Sequence, residues 1–207
     1  MIHFPYICSK YRAMKISYLK NPIKVCDIVL NTLEGKPLWN IIWNNEIPNN
    51  ILSQNNGRCY YIVVNGDIFK IGYSDCNGGI KSTIRSYRSS GNGGRPSDRT
   101  HGIHVLIAEQ LLIGNKVEFY FHYVPLMKNN LELMDGSIVS IDRSLSGKIL
   151  EEYNMEIYKK IHNDLPIWNL QEAGKPWPLY IQESRNNLLR GNSITLQDIR
   201  ERLIKTS

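Results

Sequence analysis

One stretch constrains the fold more than any other. Cys59 to Val64 is an apolar, aromatic and β-branched run, Asp67 to Tyr73 is a second, and only Asn65-Gly66 separates them. Both residues of that pair tolerate positive φ, which a tight antiparallel turn requires. A β-hairpin is therefore expected here, and its register decides what it presents. With a strict two-residue turn, Tyr61 lies opposite Lys70 and shares its face, while Tyr60 points the other way. A bulge or a longer loop exchanges the two tyrosines.

Around the hairpin the patterns are mostly helical. Modest helices are expected over Ile23 to Leu33 and Leu38 to Trp43, then an Asn-rich linker from Asn44 to Gly57 containing Pro48. After the hairpin come a turn (Asp75-Cys-Asn-Gly-Gly), a helix from Ile80 to Ser89 and a Gly/Ser/Arg/Pro loop from Ser90 to Thr100. A buried helix from His104 to Leu112 and a strand from Lys116 to Val124 follow. The long helix from Ser144 to His162 carries Ile149, Tyr153, Ile157 and Ile161 at i+4 steps, an apolar stripe. Pro166, Pro176 and Pro178 interrupt the remainder, and a short helix from Leu196 to Ile204 closes the chain. The order hairpin, helix, helix, strand, helix defines an α+β class: a small central antiparallel sheet flanked by helices.

Charge points to a polyanionic partner. The 207 residues carry a net charge of +6, and Lys81, Arg85, Arg88, Arg95 and Arg99 face a single acid, Asp98, between Asn77 and His104. The 142–164 segment is slightly acidic by comparison. At 42% hydrophobic and 21% charged, the chain has ordinary globular usage, not that of a disordered or fibrous protein. No apolar run reaches bilayer-spanning length, so no membrane association is expected. The four cysteines (Cys8, Cys26, Cys59, Cys76) include no Cys-x-x-Cys pair, so neither a zinc site nor a disulfide framework is expected. With no secretory leader at the N-terminus, a reducing cytoplasm, that of a prokaryotic cell, is the expected compartment.

Gly57-Arg-Cys-Tyr60-Tyr61-Ile62, followed by Phe69-Lys70-Ile71-Gly72-Tyr73-Ser74, resembles the paired strands of the GIY-YIG nuclease superfamily. The likeness is to the variant with lysine in place of the second-motif tyrosine, found in small stand-alone Type II restriction endonucleases. It continues through the cationic helix, the strand Val117 to Val124 and the helix bearing Glu151, and ends near His162-Asn163-Asp164-Leu165-Pro166. It thus covers roughly residues 56–166, with residues 1–55 a helical N-terminal extension and 167–207 a C-terminal one.

The resemblance implies a Mg²⁺-dependent endonuclease that hydrolyses double-stranded DNA, working as a homodimer. It implies Tyr60 as general base assisted by Lys70, Tyr73 beside them, and a first-helix cation, Lys81 or Arg85, on the scissile phosphate. Glu151 would hold the metal, in competition with Glu152 and Glu156. Arg88, Arg95, Arg99 and His104 would contact DNA, and Arg95 or Arg99 could instead supply the phosphate cation from the loop. Such chemistry needs a deprotonated nucleophile and neutralised phosphoryl oxygens. A tyrosine of pKa ~10 serves at neutral pH only if a neighbouring cation lowers it, as Lys70 could. His101 and His104 read as a helix-start pair rather than a metal site, and Trp168 and Trp177 as packing residues. The alternatives are a homing or repair nuclease on branched or nicked DNA, and a non-catalytic nucleic-acid-binding module.

Overall fold

The structure, a computed structural model, describes residues 13–31, 37–54, 56–75, 77–91, 94–122, 127–143 and 146–205. Its centre is a five-stranded, fully antiparallel sheet of order β2-β1-β5-β3-β4, flanked by helices. The class is α+β, as expected, but the sheet is wider than a hairpin plus one strand.

The extra width comes from the two segments expected to be helices. They are strands β1 (Ile23–Leu30) and β2 (Trp39–Trp43). β1 pairs with β2 on one side and with β5 (Val117–His122) on the other. Its consecutive residues Val25 and Cys26 are both buried, which erases the alternation that marks a half-buried strand. Its β-branched residues Ile23, Val25, Ile28 and Val29 favour the extended chain. The expected linker holds one short helix, α1 (Asn49–Ser53).

The hairpin β3 (Arg58–Val64) and β4 (Asp67–Ser74), and helix α2 (Gly79–Ser89), lie where the sequence places them. Helix α3 (Asp98–Leu112) starts six residues before its expected beginning, because the Ser97 hydroxyl accepts the Thr100 N–H at 3.1 Å and caps it. Further elements among the described residues have no counterpart in the sequence pattern. They include a second hairpin of β6 (Met127–Glu132) and β7 (Ile138–Arg143), and helix α5 (Leu179–Leu189). Helices α4 (Gly147–His162) and α6 (Leu196–Lys205) match expectation.

The sheet is covered on both faces. On one, Ile80 and Ile84 of α2 and Ile103 and Ile107 of α3 pack with Val25, Ile62 and Phe119. On the other, Tyr61, Val63 and Ile71 pack with Tyr158 of α4 and with Met14. Here α4 reverses its sequence reading. Its apolar row Ile149, Tyr153, Ile157 and Ile161 is between 42% and 64% exposed, whereas Gly147, Glu151 and Tyr158 are buried. Gly147 lets the helix come close: a Cβ there would lie 2.8 Å from the Arg58 backbone. Trp168 and Trp177 of the tail are buried, the latter over Gly102. Cys26 and Cys59 are free, buried thiols; Cys8 and Cys76 lie outside the described residues. Among the described residues no helix is long and apolar enough to cross a membrane.

Candidate active site

The hairpin register resolves which tyrosine accompanies the lysine. Asn65 (φ 49°) and Gly66 (φ 85°) form the two-residue turn, pairing Val64 with Asp67 and Val63 with Ile68. The register then shifts by one, so that Ile62 faces Lys70 and Tyr60 faces Gly72. Phe69 is the extra residue of this bulge. Tyr60 and Lys70 therefore share a face, and Tyr61 turns to the other. The bulge is held from far along the chain. The Trp168 N–H donates to the Phe69 carbonyl at 2.8 Å, and the two rings meet edge to face at 5.3 Å. Beside it the Asn169 amide accepts from the Ile71 N–H at 2.9 Å and donates to its carbonyl at 2.8 Å.

Tyr60 lies across Gly72, where any Cβ would collide with its ring, so the glycine of Phe-Lys-Ile-Gly makes room for the tyrosine opposite. Its hydroxyl is 2.6 Å from that of Tyr87 on α2. Burial first, and then the Tyr87 neighbour, push the Tyr60 phenol well above its ordinary value. The expectation that a nearby cation lowers it is not met. Tyr87 itself is pushed up to about 12, again chiefly by burial.

Lys70 is 1% exposed and Glu151 5%. Burial lowers the Lys70 pKa, against the pull of Glu172 and Glu151, and raises that of Glu151, against the pull of Lys70. Arg99 acts on both groups and on Tyr60. The hairpin, α4 and α3 thus bring Tyr60, Lys70, Glu151 and Arg99 into one electrostatic cluster. Asp75, which the sequence reading passed over as part of a turn, fixes where α4 begins. Its carboxylate accepts from the Gly147 N–H at 2.8 Å and the Ser146 hydroxyl at 3.2 Å, one turn ahead of Glu151.

A cleft of about 520 Å³ opens above Tyr60, lined also by Tyr73, Ser74, Thr83, Tyr87 and Arg99. Arg99 is held there by the tail: it pairs with Glu172 at 2.8 Å and donates from Nε to Gln171 at 2.9 Å. Tyr73 stands at the exposed rim. The α2 cations lie elsewhere. Lys81 donates to Asn49 at 2.9 Å and sits 5.4 Å over the Trp43 ring; Arg85 sits 6.0 Å over the same ring. Arg88 bonds the Asn40 side chain at 2.7 Å and the Trp39 carbonyl at 3.3 Å. The cationic stripe of α2 is turned toward β2, and the cleft receives the Ser/Thr/Tyr face. Arg95 is exposed in the loop. His104 does not face solvent: it is buried against Trp39 and donates from Nδ1 to the Tyr87 carbonyl at 3.0 Å. Burial pushes its pKa down to about 3. His101 is buried too, 2.9 Å from the Ser184 hydroxyl.

The donor set suits a divalent cation bound through few protein ligands. Glu151 Oε1 is buried without a hydrogen-bond partner, the state of a carboxylate oxygen free to ligate. Among the described residues no group of three or more His, Cys, Asp or Glu forms a cage. One carboxylate, with waters and substrate oxygens completing the shell, matches how Mg²⁺ is bound at phosphates.

Solved structures similar to this chain include two endonucleases. A mutant of bacteriophage T4 EndoII is 21% identical, covering 72% of this chain and 91% of its own, with a TM-score of 0.42. Restriction endonuclease HPY188I in complex with product DNA is 24% identical, covering 75% of this chain and 86% of its own, with a TM-score of 0.40. No family model matches the chain, and no curated protein matches it.

Proposed function

We propose that this protein is a Mg²⁺-dependent DNA endonuclease of the GIY-YIG type, acting at specific sites in duplex DNA in the manner of a Type II restriction enzyme. One observation carries the reading: a bulge sets Tyr60 and Lys70 on one face of a hairpin, in the same cluster as Glu151 and Arg99. In this reading residues 56–166 form the nuclease core, and the flanking segments serve specificity and subunit contacts. The compartment is the cytoplasm.

Arg99 takes the role that the resemblance gives to a first-helix cation. A guanidinium grips phosphate oxygens through two parallel bonds, and the first turn of α3 is a place where anions are favoured. The scissile phosphate would displace Glu172 from it. Tyr60, once in its phenolate form, accepts the proton of the attacking water, with Lys70 beside it on the same face of the hairpin. Glu151 would hold Mg²⁺, which supplies charge neutralisation at the phosphoryl oxygens and a water of lowered pKa. The lowered pKa of Lys70 favours one variant of this scheme, in which its neutral amine takes the proton and Tyr60 orients the water.

Purified full-length chain with Mg²⁺ is expected to cut unmodified plasmid DNA into discrete fragments. Tyr60→Phe and Glu151→Ala should each lower the rate at least ~100-fold, the scale of general-base and electrostatic contributions. Intact DNA across a panel of unmodified genomes rejects the nuclease reading. Full activity in either variant removes that residue from the mechanism. The rate of the wild type should rise with pH, since both candidate bases start protonated. If the alkaline limb survives in Tyr60→Phe and vanishes in Lys70→Met, the proton acceptor is the lysine.

A further inference from the structure

The guanidinium in the cleft is already gripped by oxygens of its own chain. Arg99 donates from Nε to Gln171 Oε1 at 2.9 Å, and its Nη2 lies 2.8 Å from Glu172 Oε1. Nε and Nη2 form one edge of the guanidinium, and such an edge takes two phosphate oxygens through parallel bonds. Two consecutive tail residues thus set two oxygens where a phosphodiester would set its own. We propose that Gln171 and Glu172 form an internal phosphate mimic, a plug that closes Arg99 until a DNA phosphate seated in the cleft displaces it. The inference rests on the nuclease reading, in which Arg99 holds the scissile phosphate, and adds what controls that seat.

The turn that carries the plug is firmly built. At one end it is tied to β4, the strand of Lys70, by the Trp168 N–H on the Phe69 carbonyl and by the Asn169 amide on Ile71. At the other it closes on itself. The Ala173 N–H donates to the Asn169 carbonyl at 3.0 Å, the Gly174 N–H to the Gln171 carbonyl at 3.0 Å, and the Lys175 N–H to the Leu170 carbonyl at 2.7 Å. Lys175 also pairs with Asp164, just past α4, at 3.2 Å. None of these bonds uses the side chain of Gln171 or Glu172. Both side chains can therefore swing off Arg99 while the turn keeps its shape.

Cover and charge support the same role. The Glu172 side chain is only 15% exposed, and among the described residues its Oε1 meets no partner but this guanidinium. Such cover strips a carboxylate of water, and pairing with Arg99 offsets that cost. In the cluster, Lys70 and Arg99 stand against Glu151 and Glu172. The closed cleft thus holds no excess of positive charge in this cluster to draw in a stray anion. A duplex held by contacts elsewhere presents its phosphate at an effective concentration that a free anion lacks. The plug therefore favours seated DNA over loosely bound DNA.

The test uses full-length protein without metal, so it does not depend on cleavage. Inorganic phosphate, titrated to about 10 mM to cover a millimolar Kd, is followed by the nitrogen-15 shift of the Arg99 Nε–H, assigned by its loss in Arg99→Gln. Glu172→Gln keeps the shape of the side chain and removes its charge. It should bind phosphate at least ~threefold more tightly than the wild type, the weight of a partly exposed ion pair. It should bind a duplex oligonucleotide more tightly by a similar factor, and this gain should vanish when the substitution is made in Arg99→Gln. A general loss of negative charge beside DNA would persist in that background, whereas release of Arg99 does not. Glu172→Asp, which draws the same charge back by one methylene, should gain in the same direction by less. It carries the test if far-ultraviolet circular dichroism shows that Glu172→Gln does not fold. Unchanged phosphate affinity in the folded variant, or an equal gain for DNA without Arg99, overturns the proposal. Tighter phosphate binding in a chain that cuts no DNA upholds the plug and rejects the nuclease reading instead.

Discussion

Two hairpins of this chain turn on similar residues and end in opposite situations. β3–β4 turns at Asn65-Gly66, with both residues at positive φ. β6–β7 turns through residues 133–137, with Gly136 at φ 81° and the Asp135 carboxylate accepting the Ser137 N–H at 2.9 Å. Every residue of β3 is buried, and every residue of β6 is exposed. Turn chemistry makes a hairpin in both places. Cover makes one of them a place where an amine and a phenol leave their solution pKa values. The bulge adds the second condition, because it selects which side chains that cover encloses.

The comparison breaks most visibly at glycine. Gly72→Ala puts a methyl group into the Tyr60 ring, with an expected loss of ~1–3 kcal/mol in stability from overpacking and the greater part of the cleavage activity. Gly136→Ala meets nothing within 4 Å and should cost only about 1 kcal/mol, for its positive φ, with cleavage unchanged. Thermal melts beside a plasmid digest check both.

Asn169→Ala tests what holds the bulged strand. It leaves the Ile71 N–H and carbonyl without their partner, at about 1–3 kcal/mol, read as a lower urea midpoint with unchanged slope. If the register depends on this cover, activity falls further than stability accounts for.

The smallest effect is acid sensitivity. His104, bonded to the Tyr87 carbonyl beneath the site, is held neutral by burial, with its pKa down near 3. The unfolded chain binds its proton below about pH 6.5, and the folded chain does not. Stability should therefore fall as the pH drops below about 6.5, by about 1 kcal/mol near pH 5.5. Denaturant titrations across that range should show a slope that His104→Gln flattens.

What could be read beforehand follows from range. The Asn65-Gly66 hairpin was legible because its turn and strands lie within fifteen residues. The tyrosine facing Lys70 was not, because the bulge at Phe69 is secured by Trp168, almost a hundred residues later. β1 does not read as a strand because a register shift between Lys24 and Cys26 puts two buried residues, Val25 and Cys26, in succession and breaks the period of two. On α4 the apolar stripe marked the outward side, since the inward contacts are made by Gly147, Glu151 and Tyr158. Glu151 was placed by resemblance rather than by pattern. Arg99 was among the residues named, but for the loop that precedes α3. Only the fold shows that its helix begins early enough to turn it into the cleft.

The Asn169 amide has a consequence beyond the cleft. β4 is the outermost strand on its side of the sheet, and such a rim ordinarily offers unpaired amides and carbonyls as a template for a foreign strand. Here the Ile71 N–H and carbonyl are satisfied by one side chain and the Phe69 carbonyl by the next backbone N–H. The residues that fix the register also blunt that rim against fibril-like stacking, so concentrated protein should resist aggregation along it.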